Sequence, residues 1–166
     1  MKTETTNPVI SQQQLLAHWQ GHRALTRRVI GAFPEEGLFN FSIGGMRPFK
    51  DLAMEMQCLA FYGMEGAVTG KWTNFDKMSY NNGEKIPKTK AELLALWDTT
   101  TEHINSLWNK LTPARFQETD NSFNTYEGAV YSFILYWIDN EIHHRGQGYV
   151  YLRALNITPP GFWERY

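Results

Sequence analysis

Four long stretches of this sequence repeat apolar residues at steps of three and four positions, the spacing of a helix that buries one face. They cover residues 11–32, residues 48 to an end between 63 and 70, residues 89–111 and residues 125–155. The segments between them are rich in glycine, proline and polar residues and are predicted to be loops: 33–47, 71–88 and 112–124. Amphipathic helices bury their apolar faces against one another. We therefore predict an all-α fold, a four-helix bundle with long loops between the helices, in one domain over residues 1–166.

Capping signals mark the beginnings of three helices. Ser11 is a good N-cap, because its hydroxyl can accept a backbone N–H of the first turn. Pro48 suits the first turn of the second helix, where a missing N–H costs no hydrogen bond. Thr89 and Glu92 have the spacing of a capping box, in which Glu92 reaches back to the Thr89 N–H.

Composition excludes several classes of protein. The net charge is -1 and no cluster of Lys and Arg occurs, so we expect no nucleic-acid partner. The polar N-terminus lacks the apolar core of a signal peptide, and no run of about 18 apolar residues predicts a membrane span. A single cysteine, Cys58, cannot form an internal disulfide. The expected location is the cytoplasm.

The most informative local sequence lies in the last predicted helix. Asn140 and His144 are four residues apart and therefore share one face. The rest of that face is apolar and is predicted to be core: Phe133, Trp137, Tyr151 and Leu155. Polar side chains in such a stripe must bond to one another or bind something else, because burying them unpaired is costly.

Other positions of this helix carry weaker signals. Asp139 and His143 have the spacing of an ion pair, as do Glu141 and Arg145. Two poor helix formers indicate that another backbone or a ligand approaches closely: Gly146 and Gly148.

Glu55 is the matching anomaly in the second helix, since it shares a face with Leu52 and Leu59. A buried carboxylate is rare unless it is paired, protonated or bound to a metal. If Glu55 meets His144 across the bundle, the two residues form either a hydrogen bond or a divalent metal site. Zinc, nickel, manganese and iron all suit such ligands. The alternative is a core cluster whose polar groups satisfy only one another.

A second candidate metal site is the pair His18 and His22, which has the i, i+4 spacing of helical zinc sites. A solvated or boundary pair is the simpler interpretation. Cys58 lies one turn from Glu55, and we expect it to be inert core packing. Most of the 24 aromatic residues are expected to fill the core, with a pocket or an oligomer interface as other uses.

Several motifs together resemble the DinB/YfiT-like family of bacterial helical bundles. The most specific is the C-terminal block, HHRGQ at 143–147 followed by YLR at 151–153 and PP at 159–160. TGKW at 69–72 and MRPF at 46–49 are also similar to segments of that family. The resemblance implies a four-helix bundle with a crossover topology, often a homodimer, that holds a divalent metal near its centre.

In that family three histidines typically hold the metal, one from the second helix and two from a His-x-x-x-His pair in the last. The resemblance places these positions at Glu55, Asn140 and His144, so only His144 matches. Carboxylate and amide oxygens imply a harder and weaker site with a single imidazole. Such a site holds a metal, holds only water, or forms a Glu–Asn–His hydrogen-bond cluster.

Two functions from different classes follow. The resemblance implies a metal-assisted, thiol-dependent transferase of small molecules, in which the metal lowers the pKa of a thiol cosubstrate. The metal would then bind Glu55, Asn140 and His144, while Arg145 and Gln147 would orient the ligand. The alternative is a non-catalytic binding or structural bundle, in which the same three residues hold no metal.

Overall fold

The computed structural model describes residues 9–79, 83 and 86–165. The α-helices and strands, in chain order, are α1 (Gln12–Ala32), α2 (Glu35–Asn40), α3 (Phe49–Thr69), α4 (Lys90–Trp108), α5 (Pro113–Gln117), β1 (Thr119–Ser122), β2 (Tyr126–Ala129) and α6 (Val130–Ala154), and a single turn of 3-10 helix (Phe75–Lys77) lies between α3 and α4. The two strands pair as one small antiparallel hairpin, so the predicted all-α class is confirmed. No helix within these described ranges is long and apolar enough to cross a membrane.

The four long helices form the bundle. Helix α1 packs against α4 and α6, and α3 packs against the same two helices. Helices α1 and α3 therefore lie on one diagonal, and α4 and α6 lie on the other. The connections from α1 to α3 and from α4 to α6 consequently cross the bundle, as the family resemblance implied. Between the helices lies an apolar core built around four buried indoles: Trp19, Trp97, Trp108 and Trp137.

The predicted helix beginnings agree closely with the structure. Ser11 is the N-cap of α1, and its hydroxyl accepts the N–H of Gln14 at 3.2 Å. The Thr89 hydroxyl likewise accepts the Glu92 N–H at 3.2 Å. The predicted return bond is wrong by one residue, because the Glu92 carboxylate accepts the N–H of Lys88 instead, at 2.7 Å.

Two of the predicted loops contain short helices. Helix α2 lies within residues 33–47 and α5 lies within residues 112–124. Thr112 was expected to end the third long helix, but that helix stops at Trp108. The Thr112 hydroxyl instead accepts the Arg115 N–H at 3.2 Å, with Pro113 in the first helical position. The Thr-Pro signal therefore begins a helix, which is its more usual meaning.

The predicted start of the last helix is wrong, because residues 126–129 form strand β2 and α6 begins at Val130. The hairpin turn places Phe123 and Asn124 at positive φ, 54° and 57°, and the Thr125 N–H closes it on the Ser122 carbonyl at 3.0 Å. Positive φ is unusual for a bulky aromatic residue. Burial of the Phe123 ring offsets this strain, since only 3% of the residue is exposed.

Close helix packing explains one of the two glycines singled out in α6. A Cβ added to Gly148 would overlap the ring of Phe49 at the start of α3. The neighbour is thus a side chain, not the predicted backbone or ligand. No protein atom of the described structure lies within 4 Å of a Cβ added to Gly146, so no other backbone approaches it there, while the approach of a ligand stays a prediction.

These two glycines give a matched pair of variants. Gly148→Ala should lower the free energy of unfolding by about 1–3 kcal/mol, because the added methyl overpacks the contact with Phe49. Gly146→Ala should raise it by up to about 1 kcal/mol, since alanine favours an exposed helix interior. Urea unfolding followed by circular dichroism measures both, and equal effects would contradict the packing of α6 on α3.

Candidate functional site

Glu55, Asn140 and His144 meet where α3 packs against α6. The Glu55 Oε1 atom lies 2.9 Å from His144 Nε2 and accepts the amide N–H of Asn140 at 3.1 Å. The contact between Glu55 and His144 that the sequence suggested is therefore formed. His144 is 7% exposed, and the Glu55 side chain is 25% exposed.

Arg47, which no sequence pattern indicated, completes this cluster from the segment before α3. Its guanidinium donates to Glu55 Oε2 at 2.5 Å, so both carboxylate oxygens are bonded. The Tyr151 hydroxyl donates to the Arg47 backbone carbonyl at 2.8 Å and ties this segment to α6. The hydrogen bond from His144, together with those from Arg47 and Asn140, outweighs burial and lowers the pKa of Glu55 to about 2.

His144 has a hydrogen-bond acceptor at each ring nitrogen. Its Nδ1 lies 2.8 Å from Gln147 Oε1, and its Nε2 faces the ionised Glu55. Both nitrogens therefore carry hydrogen and donate, which makes the ring an imidazolium. Burial opposes this charge, but the hydrogen bonds to Glu55 and Gln147 prevail and raise the pKa of His144. His143 contacts Gln147 at 3.5 Å and does not form the pair suggested with Asp139.

In this arrangement Glu55, Asn140 and His144 do not fit a divalent metal. A metal would have to displace a proton from His144, and the hydrogen bonds to Glu55 and Gln147 stabilise the protonated ring. Both oxygens of Glu55 are bonded, and the Arg47 guanidinium would repel a nearby cation. Asn140 turns its N–H to Glu55, which leaves its buried Oδ1 without a hydrogen-bond partner in the described structure. Within that part of the chain, no group of three or more His, Cys, Asp and Glu side chains is arranged to hold a metal.

Beside this cluster lies a cavity of about 530 Å³. Helices α3 and α6, the hairpin and the segment after α3 form its wall, which is lined by Glu55, Cys58, Leu59, Phe75, Met78, Ser122, Phe123, Tyr126, Ser132, Phe133, Tyr136 and Trp137. Most of these described lining residues are aromatic or aliphatic, and Glu55 is the one among them that carries a charge. The sequence did not reveal this cavity, because the hairpin that closes it lay within a predicted loop and helix.

A second polar cluster lies on the opposite side of α6, against α1. Glu141 is 1% exposed, and its carboxylate accepts the Thr26 hydroxyl at 2.6 Å. Arg23 and Arg145 lie 3.6 and 3.9 Å from it. Burial raises the pKa of Glu141, although both arginines oppose the shift. Arg145 therefore belongs to this cluster, and the expectation that it orients a ligand beside His144 is wrong.

A recognisable pattern could have indicated this second cluster. Five buried residues of α6 follow helical spacing and form a second buried face: Ile134, Ile138, Glu141, Arg145 and Leu152. Only the first face, with Asn140 and His144, was singled out from the sequence.

The pair His18 and His22 does not form a metal site in this structure. Their Nε2 atoms are 3.2 Å apart and contact each other. Guanidinium groups of Arg145 and Arg165 lie 3.0 and 3.2 Å from the two ring nitrogens of His22. Burial, with Arg145 next in importance, lowers the pKa of His22 to about 3. Two adjacent cations oppose the binding of a third.

Comparison with known proteins agrees with this architecture. The model of the DinB family matches residues 1–165. The chain belongs to the DinB family. A DinB-like protein of Bacillus subtilis, YjoA, has a similar structure, with a TM-score of 0.71 and 18% identity over 92% of this chain and 99% of that one. A DinB-like protein of Bacillus cereus ATCC 10987 also has a similar structure, with a TM-score of 0.70 and 17% identity over 90% of this chain and 95% of that one. No protein of curated function matches the chain.

The ion pair at the centre of this DinB-family protein should control the titration of His144. In Glu55→Gln the pKa of the ring should fall, because the anionic acceptor is lost while burial remains. Stability should fall by about 1.5–3 kcal/mol at pH 6, the range for a charged hydrogen bond. Nuclear magnetic resonance of the ring protons and urea unfolding measure the two effects.

Glu65→Gln on the same helix is the matched control. Glu65 is 40% exposed and faces His103 at 3.4 Å, so removal of its charge should lower the free energy of unfolding by less than about 1 kcal/mol.

The pH dependence of the stability has a defined sign. The stabilisation of the folded state by protonated His144 is complete below its ordinary pKa of 6.5 and is lost as pH rises through its raised pKa. The contribution of Glu55 is lost as pH falls from 4.5 to about 2. A His144 titration unchanged in Glu55→Gln would contradict the ion pair.

Proposed function

We propose that this DinB-family protein binds a small, largely apolar organic molecule in the cavity, beside a charged cluster that takes the place of a metal. The observation that carries the proposal is the position of Glu55. Its side chain lines the cavity and is also bonded to Arg47, Asn140 and His144. The cavity and the polar centre therefore belong to one site.

The size and lining of the cavity support a small organic ligand. A volume of about 530 Å³ falls within the usual range for ligand pockets. Its wall offers aromatic rings for stacking, including Phe75, Phe133 and Trp137. A few polar groups stand among them, which is the usual composition of a site that orients an apolar ligand.

The charges of the cluster favour one kind of polar group on the ligand. Glu55 is the member of the cluster that lines the cavity, so the polar group of a bound ligand meets its carboxylate. A neutral hydrogen-bond donor suits this carboxylate, whereas an anionic group is repelled by it. An aromatic molecule with one N–H or O–H donor therefore fits the site.

A cavity-filling variant tests the proposal. N-Phenyl-1-naphthylamine, a neutral aromatic probe with one N–H donor, should bind with one-site saturation and shift the Trp137 indole N–H signal in a ¹H–¹⁵N spectrum. In Ser132→Phe the added ring should occupy the cavity and weaken binding at least about tenfold.

Ser106→Phe is the control, because Ser106 is an exposed residue of α4 and does not line the cavity. This variant introduces the same phenyl ring on the surface of α4, away from the cavity. Equal binding by the two serine variants, or saturable binding that leaves the Trp137 signal in place, would contradict the proposal.

A metal-assisted transferase is the second candidate. It is favoured by the meeting of Glu55 and His144, from different helices, beside a cavity. Against it stand the donor arrangement of His144 and the guanidinium of Arg47 on Glu55. The two candidates therefore differ in whether the native side chains take up a metal.

Metal titration separates the candidates. Tag-free protein incubated with zinc, nickel or manganese should retain no stoichiometric metal, because both Glu55 oxygens and the His144 ring nitrogens are already hydrogen-bonded and Arg47 places a positive charge beside them. The double variant Glu55→His/Asn140→His should bind one equivalent, since it provides three imidazoles and removes the partner of Arg47. Elemental analysis and calorimetry measure both. One equivalent on the native protein that is lost in His144→Ala would overturn the metal-free centre, whereas loss in His22→Ala would locate the metal at the α1 pair.

A further inference from the structure

A second site of different character lies where the C-terminal segment returns to α1. Four side chains from three parts of the chain meet there, and we call them the tail cluster: His18, His22, Arg145 and Arg165. It lies on the α1 side of α6, whereas the cavity lies on the α3 side. It shares no residue with the cavity.

Hydrogen-bond donors crowd the ring of His22. The Nη2 atom of Arg145 lies 3.0 Å from its Nδ1, and Nη1 of Arg165 lies 3.2 Å from its Nε2. The Nε2 atom of His18 also lies 3.2 Å from that nitrogen. A neutral imidazole offers only one lone pair, and a guanidinium offers none. One guanidinium N–H therefore faces a ring nitrogen that cannot accept it.

Other donors and charges at this place show the same shortage of acceptors. The Nε atom of Arg165 is buried and has no hydrogen-bond partner in the described structure. Arg23, Arg145 and Arg165 bring three positive charges, while Glu141 brings one negative charge. Glu141 is already bonded to Thr26 on the inner side of the cluster.

The nearest acidic residue in the sequence does not supply the missing acceptor. Glu164 is exposed, and its carboxyl group lies against Gly161. Arg145 is 6% exposed and already donates to the His22 carbonyl and the Thr26 hydroxyl. Arg165 is therefore the cation that lacks acceptors, because its buried Nε has no partner in the described structure. An unsatisfied donor of this kind favours binding of an anion from solution.

We propose that the tail cluster binds a small oxyanion, a phosphate or a carboxylate, on the Arg165 guanidinium beside His18 and His22. A guanidinium presents paired N–H donors that match two oxygens of such an anion. His18 is exposed and gives the anion a path from solution. The anion also fixes the C-terminal segment against α1, because Arg165 and the α1 histidines then share one ligand.

Anion titration of the full chain tests this proposal. Sodium phosphate and sodium acetate are added separately at neutral pH and constant ionic strength, while the Arg Nε–H and His ring signals are followed by nuclear magnetic resonance. One-site saturation that moves the His22 and Arg165 signals is expected for at least one anion. Saturation by phosphate alone assigns a phosphoryl ligand, and saturation by acetate alone assigns a carboxylate.

Two variants and a control locate the anion. Arg165→Gln should weaken binding at least about tenfold, because a charged hydrogen bond is lost. His18→Gln changes an exposed side chain and should weaken binding less, without unfolding the protein. Lys110→Gln removes one exposed positive charge outside the cluster and should leave the affinity unchanged.

Two results would overturn the proposal. One is the absence of saturation by either anion at about 100 mM, far above a millimolar Kd. The other is equal affinity in the native protein and in Arg165→Gln, since the anion would then bind elsewhere. The cavity probe is unaffected by either result, so failure here is distinct from failure of the proposed ligand site.

Discussion

Helix α6 must bury charged side chains on two faces at once, and the rest of the bundle is arranged around this requirement. Successive residues of a helix are about 100° apart. Asn140 and His144 therefore face α3, while Glu141 and Arg145, each one position later, face α1. Each face needs its own partners, because an unpaired buried charge is unstable. Helix α3 supplies Glu55 to one face, and α1 supplies Arg23 and Thr26 to the other.

The two clusters solve the same physical problem with different surroundings. The Glu55 cluster is half-buried, borders a cavity and contains a cationic histidine. The Glu141 cluster is almost fully enclosed, and the histidine beside it is held neutral by burial and by Arg145. An exchangeable ligand is easier to accommodate beside the first, because a cavity already adjoins it.

Features set by residues near one another in the chain could be predicted from the sequence. The four long helices, the N-cap at Ser11 and the apolar stripe of α6 follow from local spacing and hydrogen bonding. The meeting of Glu55 with His144 was also accessible, because each residue breaks an apolar stripe and a buried polar group needs a partner.

Features that depend on distant partners could not be predicted in the same way. Arg47 reaches Glu55 because the Tyr151 hydroxyl holds its backbone, a contact between residues 104 positions apart. The sequence does not predict strand β2, because its turn uses Phe123 at positive φ, where glycine or asparagine is expected. Burial of that ring among distant aromatic residues and the hydrogen bond from Asn124 to the Trp72 carbonyl stabilise the turn.

The turn at Phe123 has a consequence for how this protein can diverge. The hairpin contributes Ser122, Phe123 and Tyr126 to the cavity, yet the contacts that align the long helices lie elsewhere. One part of the cavity wall therefore lies outside the four helices of the bundle, whereas the rest belongs to α3 and α6 and the segment after α3. Substitution or lengthening of this short hairpin can change the shape of the cavity while the packing of the long helices and the charged centre are retained.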